Sequence, residues 1–67
     1  MEKNIIGQYA GIIWNYVDKQ KETTITELKK ATNLQIKDIY LALGWLAREN
    51  KIFFWNVKGE LFVSIIY

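Results

Sequence analysis

Lys37, Leu41, Gly44 and Arg48 recur at i, i+4, i+7 and i+11, so a helix through them carries two cations on one face with a glycine between. Such a face suits a DNA groove. Lysine and arginine reach phosphates or guanine edges, and glycine lets the backbone approach closely. Tyr40 beside them can contact a phosphate or a thymine methyl. Lys29, Lys30 and Lys58 would add phosphate contacts from neighbouring elements. The competing reading is ordinary lysines on a solvated face. Asp38 next to this face would repel a phosphate backbone, and Leu41 with Trp45 offers apolar area rather than hydrogen bonds.

Catalytic chemistry finds little support. The chain has no cysteine and no histidine, which excludes disulfides, zinc ribbons, thiol nucleophiles and imidazole acid–base work together. Glu27 and Asp38 could form a carboxylate pair, but no nucleophile, metal-ligand set or phosphate-cradling loop accompanies them. The expectation is a protein that is no enzyme and takes no cofactor or metal. Nine basic against seven acidic residues give a net charge of +2, which permits nucleic-acid binding without arguing for it.

The elements that must position these residues follow from apolar periodicity. Residues 4–20 read as a first helix with a solvent stripe of Asn4, Gln8, Gly11, Asn15 and Asp18. Two apolar stripes lie beside it: Ile5, Tyr9, Ile12, Tyr16, and Ile6, Ala10, Ile13, Val17. Together with Trp14 they cover more of the helix than one core-facing stripe requires. Gly7 and Gly11 share a GxxxG spacing that here permits close packing rather than membrane pairing. Lys19–Glu22 is a polar connection and Thr23–Ile25 a short strand.

Thr26 is expected to cap a second helix, with Glu27 near its positive end, Leu28 and Ala31 inward, and Lys29 and Lys30 in water. That helix ends near Thr32, Asn33 takes the left-handed conformation, and Leu34 plugs the angle between helices. The third helix runs from about Ile36 to Glu49, with Ile39, Ala42, Leu43 and Leu46 inward and Asn50 just past its end. Residues 52–57 and 60–67 form a hairpin around Lys58–Gly59. A two-residue loop pairs Trp55 with Phe62; a three-residue loop slips the register by one. Both hairpin faces are apolar in either register, which predicts cover on two sides. Three helices, a short first strand and a terminal β-hairpin wing make a single α+β domain of winged helix-turn-helix plan over residues 1–67.

That plan sits in a chain near the lower size limit of a self-sufficient core, yet 51% of its residues are hydrophobic and 15% aromatic. Part of this apolar surface must face outward or face a partner. A homodimer is the economical solution, using Ile5, Tyr9, Ile12, Tyr16 and Trp14 of the first helix with Phe53 and Trp55 of the hairpin. A crowded core is the alternative for the same stripes. The opening Met1-Glu2-Lys3-Asn4 shows no cleavable signal pattern and no apolar run approaches a membrane span, so a cytoplasmic, membrane-free protein is expected.

With these residues in place, the chain resembles a family of small bacterial winged helix-turn-helix domains of largely unknown function. The likeness rests on Glu27–Thr32 (ELKKAT), on Tyr40–Glu49 (YLALGWLARE) and on Lys51-Ile52. It implies a three-helix domain with a β-wing, self-association, and, by fold analogy, DNA binding in a regulatory role. A protein-interaction module without DNA binding is the alternative. Asn33 and Asn50 stand where such domains often have glycine, and Gln35 replaces a stronger helix cap.

Overall fold

The computed structural model describes residues 3–66. Its elements are α1 (Lys3–Gln20), β1 (Glu22–Thr24), α2 (Ile25–Thr32), α3 (Ile36–Arg48), β2 (Ile52–Val57) and β3 (Glu60–Ile65). The strands form one antiparallel sheet in the order β1-β3-β2, with the helices on a single face.

In α1, Ala10, Ile13 and Val17 are buried while Asn4, Gln8, Gly11 and Asn15 on the opposite side are exposed. The 3.6-residue repeat thus puts one apolar stripe in the core, as its spacing predicts. The other stripe is partly enclosed: Tyr9 and Tyr16 pack against the core, Ile5 is half-buried and Ile12 is 48% exposed. The helix ends where Lys21 turns left-handed (φ 72°) and its N–H donates to the Val17 carbonyl at 2.7 Å.

β1 and α2 abut with no loop between them, which moves both boundaries by one residue from the expected Thr23–Ile25 strand. Thr24, not Thr26, is the cap: its extended backbone ends β1, and its Oγ1 accepts the Glu27 N–H at 3.2 Å. Because the helix begins earlier, its inward arc centres on Ile25 and Leu28, and Ala31 rotates out to solvent instead of inward. Thr32 takes the next inward position, its hydroxyl donating to the Leu28 carbonyl at 2.6 Å and accepting the Leu34 N–H at 3.2 Å. Asn33 is left-handed as expected (φ 58°), and its N–H closes the helix on the Lys29 carbonyl.

α3 starts at Gln35, whose side chain makes no capping hydrogen bond, in keeping with glutamine's weakness in that role. It ends in a Schellman arrangement. Asn50 is left-handed (φ 57°), its N–H donates to Ala47, and the Lys51 N–H donates to Leu46. The hairpin turns through Lys58 (φ 50°) and Gly59 (φ 84°), both left-handed, which is the type I′ geometry that matches the twist of paired strands. Asn56 Oδ1 accepts the Gly59 N–H at 2.9 Å. Trp55 therefore pairs with Phe62, settling the register in favour of the two-residue loop.

Ile13, Val17, Leu28, Ile39, Leu43 and Val63 are fully enclosed and form the centre of the core. The expectation of a hairpin covered on two sides does not hold within one chain. Ile52, Val63 and Ile65 face the helices and are buried, whereas Phe53 on the outer face is 50% exposed and Val57 45%. The reason is layer count: all three helices pack on one side, leaving the outer face without a second layer. Phe54 points to the inner side by register yet is 41% exposed, because β2 is an edge strand.

Candidate nucleic-acid interface

Lys37, Tyr40, Leu41, Gly44 and Arg48 all lie on the exposed side of α3, opposite Ile39, Ala42, Leu43 and Leu46. At 1.5 Å per residue, Lys37 and Arg48 stand about 16 Å apart along the axis. Gly44 falls between them, and a Cβ added there would meet nothing within 4 Å, so the helix surface is bare backbone at its midpoint. Tyr40 and Leu41 flank it at 50% and 47% exposure. The face is thus cationic at its ends and apolar in its middle.

Asp38 corrects one expectation. It does not lie beside this face but is turned inward, 8% exposed, with Oδ1 lacking a hydrogen-bond partner among the described residues. Its place in the first turn of α3 puts its charge where the helix's free amides favour an anion. The repulsion of phosphate anticipated from Asp38 is accordingly weakened. Thr23 is the other buried polar side chain with an unpartnered oxygen.

The remaining cations sit on other elements. Lys29 and Lys30 are exposed in the last turn of α2, and Lys29 Nζ reaches the Leu34 carbonyl at 3.4 Å, folding over the turn into α3. Lys58 occupies the hairpin tip.

The seven residues expected at a dimer seam divide among three places. Ile5, Tyr9, Ile12 and Tyr16 run along one flank of α1, half-buried apart from the exposed Ile12. Trp14 lies on the other flank, in a groove with Trp45 of α3. Phe53 and Trp55 belong to the outer face of the sheet, where Trp55 stacks on Phe53 at 5.5 Å and on Phe62 at 5.7 Å between ring centroids. Phe62 had not been singled out for this face. The signal was available, since the two-residue loop places it opposite Trp55.

No described helix is long and apolar enough to cross a membrane. Among solved structures, the chain is similar to protein BT2368 from Bacteroides thetaiotaomicron, with 35% identity and a TM-score of 0.86 over 97% of this chain and 79% of that one. The Zalpha domain of Carassius auratus PKZ, solved in complex with Z-DNA, shares 18% identity and a TM-score of 0.79 over 91% of this chain and 97% of that domain. HlyU from Vibrio cholerae shares 20% identity and a TM-score of 0.72 over all of this chain and 83% of its own. The latter two likenesses show the fold alone. No curated protein matches the chain. A family model for winged helix-turn-helix domains (DUF2582) matches residues 1–65, and the chain belongs to that family.

Proposed function

We propose that this winged helix domain binds double-stranded DNA by laying α3 in the major groove, and that it acts in regulation as a homodimer rather than as an enzyme. The observation that carries the reading is the shared exposed face of Lys37, Gly44 and Arg48. In this pose Lys37 and Arg48 meet phosphates or guanine edges near the two ends of the helix, while the bare backbone at Gly44 lets the axis sink into the groove. Tyr40 and Leu41 supply apolar contact to thymine methyls. Lys58 on the wing tip and Lys29 and Lys30 on α2 add phosphate contacts that position the domain without reading sequence. The Z-DNA complex of the PKZ Zalpha domain supports nucleic acid as the ligand class for this architecture, by analogy of fold.

Self-association is assigned to the surface flank of α1, where Ile5, Tyr9, Ile12 and Tyr16 form an apolar ridge. Sedimentation at tens of micromolar should show a dimer, and a monomer there removes this part of the reading. A second reading, a protein-interaction module, is favoured by one observation: Phe53, Trp55 and Phe62 stack on a sheet face that no described element covers. Amide shifts recorded while a mixed-sequence duplex is added separate the two. DNA binding should move resonances from Lys37 to Arg48. An unchanged spectrum at low salt leaves the interaction reading standing and removes DNA.

A further inference from the structure

Residues of α1 and of the second half of α3 line a groove of about 430 Å³ whose chemistry the DNA reading leaves unused. Gly7 and Gly11 form one side of it, Trp14 and Trp45 stand over it, and Glu49 and Lys51 lie at its rim. The glycines are the first clue. Both sit inside α1, where glycine is the poorest helix former after proline, and a Cβ at either position would meet nothing within 4 Å. No packing among the described residues requires them. The space above them is open and bounded by two half-buried indoles. Its volume lies within the roughly 300–1,000 Å³ of small-molecule sites.

The lining sets the class of occupant. Two indoles favour a flat aromatic ring held by stacking or edge contacts. Glu49 and Lys51 are exposed and carry opposite charges, so they offer an acceptor for an ammonium and a donor for a carboxylate. We propose that the α1–α3 groove binds a small amphoteric aromatic molecule of the size and charge pattern of an aromatic amino acid. The ring enters between Trp14 and Trp45 above the glycines, its ammonium faces Glu49 and its carboxylate faces Lys51. The site is distinct from the exposed α3 face and stands whether or not DNA is bound.

Indole fluorescence reads this directly. In a Trp55→Phe variant the remaining tryptophans are the two that line the groove. Titration with phenylalanine should change their emission saturably, and each of phenethylamine and 3-phenylpropionate, lacking one charge, should bind at least about tenfold more weakly. Gly11→Leu fills the groove. It should abolish the phenylalanine response while raising the thermal midpoint by about 4–8 °C, because a good helix former replaces glycine where an added Cβ meets nothing within 4 Å. Equal binding of all three compounds, no saturable change at millimolar phenylalanine, or an unaltered response in Gly11→Leu would each overturn the proposal. So would dissociation of a ligand-free dimer by Gly11→Leu, which would make the groove a contact between copies instead.

Discussion

Lys58 holds a backbone conformation that lysine does not favour. At φ 50° in a type I′ turn, asparagine is the residue local sterics would select before Gly59. A lysine at that position puts its charge at the wing tip, where the proposed phosphate contact would use it. Lys58→Asn should therefore raise stability by about 0.5–1 kcal/mol in urea unfolding. The same change should lower the salt slope of DNA binding by about one. A stabilised variant with unchanged DNA affinity would take Lys58 out of the interface. Asn33 and Asn50 show the milder form of the same effect, since asparagine tolerates the left-handed region where each ends a helix.

Caps and registers fix the elements, and here the sequence was legible to different depths. The apolar residues of the inward face of α3 were legible, because Ile39, Ala42, Leu43 and Leu46 repeat at helical spacing. The Asn50 terminus and the position of the hairpin turn at Lys58–Gly59 followed from local backbone preferences, whereas the choice of a two-residue over a three-residue loop is made by the strand pairing. The junction of β1 and α2 did not follow from such preferences. Thr23, Thr24 and Thr26 can each end a strand or cap a helix, and the choice is made by pairing of Thr24 with Phe62 across the sheet. Thr24→Ala should consequently cost about 1 kcal/mol, whereas Thr26→Ala should stay within about 0.5 kcal/mol of wild type. Equal losses in a denaturant series would reject the cap at Thr24. Asp38 was misplaced for a related reason: periodicity puts it on the flank of α3, and only the packed chain shows that flank closed over.

At the scale of the whole molecule, twelve enclosed apolar residues among the described ones form the core of the domain. Leu43 is 1% exposed at their centre, so Leu43→Ala should cost about 2–5 kcal/mol. That is comparable with the roughly 5 kcal/mol expected of a domain this small, and thermal unfolding should show the cooperative transition lost or moved far down. Outside this core the excess of apolar residues is real but dispersed. Ile12 lies on α1, Leu41 on α3, and Phe53 and Val57 on β2, each about half exposed. Composition alone forecast such surface; it could not say that it would divide between a flank of α1, the exposed side of α3 and the outer face of the sheet.

The DNA assignment is tested most directly by the salt dependence of duplex affinity in the native chain and in a Lys37→Ala, Arg48→Ala double variant. Log affinity should fall linearly with log salt, and the double variant should bind more weakly with a slope smaller by about 1.8, two phosphate contacts at about 0.9 each. Self-association should be the same in both. Binding whose slope is untouched by the two substitutions, or no binding of the native chain at low salt, would contradict the placement of α3 in the groove.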